Sequence, residues 1–154
     1  MTDRIETKKT LIELCRKQLV EEMTLLKKAM DDAQEEANAH KGAMESRYDT
    51  FKEEAQSKKD AYSRQLMEKG KVVSLISSIN PSRLLNKVET GAIVVTDKYS
   101  FFISYHIFDD PIVIHDVAYI LVSAGSPLGK SFQGKKKDDL VSTPQGEMRI
   151  LDIF

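Results

Sequence analysis

The sequence predicts an α+β protein in which an N-terminal antiparallel α-helical coiled-coil hairpin precedes a small β-rich domain. Three observations carry this prediction. The first eighty residues hold two glycines, Gly42 and Gly70, and no proline, whereas all four prolines and the other five glycines follow Asn80. Apolar residues recur every three or four positions in the first half and in short alternating runs in the second. The two helical series meet at His40-Lys41-Gly42-Ala43. The change at Asn80-Pro81-Ser82 sets the domains at 1–79 and 80–154.

The first series runs Ile12, Cys15, Leu19, Met23, Leu26, Met30, Ala33 and Ala37. These spacings place all eight on one helical face. The second runs Met44, Tyr48, Phe51 and Ala55, then Tyr62 and Leu66, then Val73 and Ile76. Glycine commonly follows a helix end because it tolerates positive φ, so Gly42 marks the turn, together with Lys41 and Ala43. Arms of roughly 33 residues at 1.5 Å per residue give a hairpin of about 50 Å. Leu19, Met23 and Leu26 are expected to pack near Tyr62 and Leu66. One glycine costs only about 1 kcal/mol inside a helix, so a continuous helix in a homodimeric coiled coil stays open at this point.

In the second half, Gly91 to Thr96 reads as a strand and Asp97-Lys98 as a turn. Ser100 to Ile107 alternates, with Phe101, Ile103, Tyr105 and Ile107 on one face. Ile112 to Ile114 and Ala118 to Ser123 are further short strands. Ser126-Pro127 has the form of a helix N-cap followed by proline at the first helical position, and that helix should stop at Gly134. Leu140 to Thr143, the turn Pro144-Gln145-Gly146, and Glu147 to Phe154 complete a hairpin.

Composition narrows function. Charged residues make up 31% of the chain and the net charge is -1, so charge-driven affinity for nucleic acid is not expected. Cys15 is the only cysteine, which excludes an intrachain disulfide and suits a reducing, cytoplasmic setting. The polar start is unlike a signal peptide. No apolar run approaches the ~20 residues of a membrane span. His40, His106 and His115 lack ligand spacing, and no stably bound metal is expected. Asp31, Asp32, Glu35 and Glu36 read as a solvated face, and Lys135-Lys136-Lys137 as a solvated loop.

The segment Ser126-Pro127-Leu128-Gly129-Lys130-Ser131-Phe132-Gln133-Gly134-Lys135 resembles the C-terminal domain of the GreA/GreB transcription elongation factor family. So does its continuation through Asp139, Leu140, Val141, Pro144, Gly146, Ile150 and Ile153. Asp138 departs from the pattern, which usually has glycine before the aspartate, and Pro144 and Gly146 come slightly early. The resemblance implies an FKBP-like C-terminal domain without isomerase activity. It implies docking through Ser126, Pro127, Gly134, Lys135 and Asp139 on the rim of the RNA polymerase secondary channel. It further implies a hairpin inserted in the channel, acting on backtracked or paused complexes. The factor would be a monomer and no enzyme itself, with RNA polymerase as partner, the RNA 3′ end as a further contact, and Mg²⁺ shared with the polymerase in place of a cofactor of its own.

Family members carry two acidic residues three apart near a tip glycine, where carboxylates help hold Mg²⁺ for RNA cleavage by the polymerase. Here an alignment that puts Asp49 in the second acidic position puts Ser46 in the first. An ungapped match through Tyr48 puts the two on Lys41 and Met44. The substitute pair is Glu45 with Asp49, since residues four apart share a helical face at about 5–6 Å between Cβ atoms. Acids in a first helical turn also complement the helix dipole without any further role. Three readings therefore stay open: a cleavage-stimulating factor, a channel-occupying regulator without cleavage, and a coiled-coil protein-interaction module.

Overall fold

A computed structural model describes residues 2–39, 42, 44–107 and 109–154, without the side chains of Thr2 and Ser46. Two helices, α1 (Thr2–Ala39) and α2 (Glu45–Ser77), precede strands β1 (Ala92–Thr96), β2 (Ser100–Ser104), β3 (Ile112–Ile114) and β4 (Val117–Ser123). A short helix α3 (Pro127–Phe132) and strands β5 (Leu140–Thr143) and β6 (Gly146–Ile153) follow. The predicted fold class is the one observed: paired helical arms, then a β-rich part. The chain forms two compact units, one from residues 17–74 and one that joins residues 1–16 to 75–154.

The first unit is the arm pair. Lys59 Nζ donates to Gln34 Oε1 at 2.9 Å, and Lys69 pairs with Glu22 at 2.7 Å. Moving back along α1 from Gln34 to Glu22 takes the partner forward along α2 from Lys59 to Lys69, which only antiparallel arms allow. A continuous helix through Gly42 is therefore not what forms. The predicted stripe faces inward, with Leu19, Ala33, Ala37 and Ala55 buried and Met23, Leu26 and Met30 half-buried. Met23 does not stop at Leu66: its methyl lies 3.7 Å from where a Cβ on Gly70 would stand, one turn further along α2. Met44 departs from the stripe and is exposed.

The second unit is built on a six-stranded sheet of order β3-β4-β2-β1-β6-β5. All neighbours are antiparallel except β2 and β4, which run parallel from Ser100↔Tyr119 to Ser104↔Ser123. Strand β2 ends at Ser104, so Tyr105 and Ile107 do not extend it as the alternation suggested. Nor does β2 have one wet face. Phe101, Phe102, Ile103 and Ser104 are all buried, because β2 is an interior strand whose two faces are both covered. Val88, Val94, Phe101, Phe132, Met148 and Ile150 form the heart of the core, with Phe101 and Phe132 rings 5.4 Å apart. From α1, Leu11, Ile12 and Cys15 belong to this unit and are buried. Arg4 reaches Asp152 at 2.7 Å and lies over the Phe154 ring. This ion pair is partly solvated, so it contributes at most about 1 kcal/mol.

Candidate functional site

The hairpin tip is one candidate. Helix α1 stops at Ala39 and α2 starts at Glu45, bracketing the predicted turn. Gly42 is an exposed turn residue, and a Cβ there would meet nothing within 4 Å. The Met44 carbonyl accepts from the Arg47 and Tyr48 amides, both at 2.9 Å, and so opens α2. Glu45 and Asp49 follow one turn apart, both exposed and, among the described residues, neither in an ion pair. Lys41 and the Ser46 side chain lie outside the described residues. The tip thus offers two exposed carboxylates four residues apart in α2, without an ion-pair partner among the described residues. Hard divalent cations such as Mg²⁺ take this donor type and need only one or two protein ligands when they keep their waters.

The second candidate is the loop and helix from Ser126 to Asp139. Ser126 Oγ accepts from the Gly129 amide at 3.0 Å and donates to the Ser123 carbonyl at 2.7 Å, so the predicted N-cap is formed with Pro127 behind it. A Cβ on Gly129 would run into the Ser123 carbonyl oxygen, which makes glycine obligatory for the close approach of α3 to the end of β4. The helix ends at Phe132, and Gly134 follows at φ 75, its amide donating to the Val88 carbonyl at 2.9 Å. Val88 returns a bond to the Lys135 carbonyl at 2.8 Å. Asp139 Oδ2 accepts from the Lys136 amide at 2.8 Å. Ser126 and Asp139 therefore bond to nearby backbone, and Gly134 ties the loop to Val88. What remains outward for a partner is Pro127 and the exposed side chains of Lys130, Lys135, Lys136 and Lys137.

Asp138 explains its own departure from the glycine pattern. It sits at φ 74, with its amide bonded to the Ile150 carbonyl and its carbonyl held by Arg149. Aspartate is among the few non-glycine residues that tolerate this region. Cys15 is buried, and burial pushes its thiol up to about 12, so it stays protonated and unreactive at neutral pH.

The residue that sequence reasoning missed is Lys8. It is 1% exposed, a rare state for lysine, and lines a cavity with Arg83 and Asn80. The signal was present: Lys8 stands four residues before Ile12, in line with the apolar stripe. Among the described residues no helix is long and apolar enough to cross a membrane.

No family model matches the chain, and no curated protein does. Solved structures that are similar to it include the GreA factor homologue Gfh1 of Thermus thermophilus, at 13% identity over 90% of this chain and 94% of that one, with a TM-score of 0.34. Another, described as the transcription factor Gfh1, is 15% identical over 90% of this chain and 92% of that one, with a TM-score of 0.35. The Gfh1 of Thermus aquaticus is 15% identical over 89% and 92%, with a TM-score of 0.33.

Proposed function

We propose that the chain is a Gre-like transcription factor that binds RNA polymerase through the secondary channel and acts on backtracked or paused complexes. The observation that carries this reading is the segment from Ser126 to Ile153. Its Gre-like sequence pattern folds as a capped helix, a left-handed turn and a β-hairpin, in a chain that also presents paired helical arms. The outward Lys130, Lys135, Lys136 and Lys137 give this loop a cationic surface suited to an acidic protein partner.

At the tip, occupancy of the channel needs only the arms. Cleavage stimulation needs a metal ligand as well: Glu45 and Asp49 are the exposed carboxylates that could supply one, whereas the presence of Ser46, or of Lys41 and Met44, where the family's acids are expected tilts the tip toward a channel-occupying regulator. The carboxylates would hold Mg²⁺ that the polymerase site binds weakly, and a second metal about 4 Å away is the usual arrangement for activating water against a phosphodiester.

The deciding experiment measures RNA cleavage in stalled, backtracked elongation complexes, alongside competition binding to polymerase. The protein should bind and alter backtracked complexes. If it also stimulates cleavage, Asp49→Ala should reduce the rate at least tenfold with binding intact, and excess Mg²⁺ should restore part of it. Ser46→Asp should then raise the rate. Binding without cleavage by wild type and Ser46→Asp at every Mg²⁺ concentration leaves a channel-occupying regulator. Absence of polymerase binding sinks the whole reading.

A further inference from the structure

A cavity of about 250 Å³ lies within the sheet-containing unit, where the first turns of α1 meet the segment after α2. Lys8, Asn80, Arg83, Thr90 and Tyr105 line it, and Ile79 and Leu85 supply an apolar wall. Lys8 is the unusual member. Its ammonium has three N–H donors, and among the described residues it makes one hydrogen bond, to the Arg83 carbonyl at 3.1 Å. Two donors of a buried cation are left over, and an ammonium taken out of water without acceptors is costly.

The surroundings do not supply an anion. The carboxylate nearest in kind, Glu89, is engaged by the Arg83 guanidinium at 3.2 Å. Arg83 itself opposes a second positive charge at Lys8. Burial first, then this repulsion, lower Lys8 from 10.5 to about 8, while Glu89 only partly compensates. Two cations, the buried Lys8 and the largely exposed Arg83, therefore line the cavity, and Glu89, which pairs with Arg83, does not. The polar side chains left facing the cavity are the Lys8 ammonium and the Asn80 amide, which donate, and the hydroxyls of Thr90 and Tyr105, which can donate or accept and make no hydrogen bond within the described residues. The Asn80 amide can donate because its oxygen is occupied by the Ser82 amide at 3.0 Å. A concave, half-apolar space with converging donors and excess positive charge selects for a negatively charged acceptor.

We propose that this cavity binds a small oxyanion, carboxylate or phosphoryl, seated on the Lys8 ammonium between Arg83 and Asn80. Its two spare ammonium donors then gain acceptors, and the repulsion between Lys8 and Arg83 is offset. The volume accommodates an oxyanion carrying a short apolar body against Ile79 and Leu85. The site is independent of the polymerase reading, since it uses neither the tip nor the Ser126 loop.

The test titrates the full chain with sulfate and, separately, with acetate, following the Lys8 side-chain resonances by NMR at constant ionic strength. The expected result is a saturable shift of the Lys8 signal with at least one of the two anions, and the tighter binder identifies the phosphoryl or carboxylate class. Lys8→Met should abolish a saturable thermal stabilisation by the same anion. Arg83→Gln, which leaves the ammonium in place, should weaken binding several-fold. Between pH 7 and pH 9 the affinity should fall about tenfold, because Lys8 loses its proton across that range. Non-saturable shifts with both anions, equal stabilisation of wild type and Lys8→Met, or an affinity flat from pH 7 to pH 9 would each overturn the proposal. Should Lys8→Met fail to fold, the Arg83→Gln titration and the pH series on wild type decide alone.

Discussion

The two units solve burial in opposite ways. In the sheet unit, Val88, Ala92, Val94, Phe101, Ile103, Phe132, Met148 and Ile150 are each 0% exposed, and large side chains interlock from several directions. In the arm pair, the described buried apolar residues are Leu19 and the small Ala33, Ala37 and Ala55, while Leu25 and Met67 stand 67% and 74% exposed. A helix with one partner can cover only a narrow stripe, and alanines in that stripe let the backbones approach at little gain in buried area. Local stability follows such burial, so the arms should open more readily than the sheet.

The sharpest way to break the comparison is to remove volume from the sheet core. Phe101→Ala, which deletes a ring packed on Phe132 and Tyr99, should cost about 3–5 kcal/mol in denaturant unfolding. A loss below 1 kcal/mol would show that this core is no tighter than the arms. Next in size is a pair of identical substitutions with opposite expected signs. Gly129→Ala drives a methyl into the Ser123 carbonyl and should cost about 1–3 kcal/mol. Gly70→Ala adds a methyl at an ordinary 3.7 Å from Met23 inside a helix and should stabilise by about 0.5–1 kcal/mol. Melting curves for the two variants, taken side by side, check the sign directly.

The remaining prediction concerns charge in the sheet unit. Because Lys8 is lowered from 10.5 to about 8, the unfolded chain holds the extra proton between those values. Its contribution to stability should therefore rise as pH increases from about 8 to 10.5. Subtracting the pH profile of Lys8→Met from that of wild type isolates this slope, and a slope of the opposite sign would mean that Lys8 is better paired than the geometry indicates.

Much of this was legible from short-range pattern. The stripe from Ile12 to Ala37, the Ser126 cap and the Leu140 to Phe154 hairpin depend on residues within a few positions of each other, where steric and hydrogen-bonding rules act locally. The strand Ser100 to Ile107 was overextended because alternation reports a face, and it cannot report where a pairing partner ends. Strand β4 runs out at Ser123, opposite Ser104. The parallel pairing itself was invisible for the same reason, as was the covering of both faces of β2. At the hairpin tip, local spacing places Glu45 and Asp49 one turn apart at the start of α2, which is as much as short-range pattern can report there. Lys8 was overlooked because its meaning comes from Arg83, 75 residues away. Asp138 read as a blemish until its left-handed backbone supplied the reason for the usual glycine.

The sheet unit is discontinuous in sequence, with the arms emerging between its two pieces. During synthesis the piece before the arms must wait for partners made after them: Lys8 waits for Arg83, and Arg4 for Asp152, 148 residues on. Within the second piece, Ile93 waits for Phe154, which exchanges two backbone hydrogen bonds with it. The arms have only each other to find and can pair while the chain is still being made. Nascent chains of this protein should therefore acquire helical structure in the arms well before the sheet is complete, since contacts of such long sequence separation close slowly.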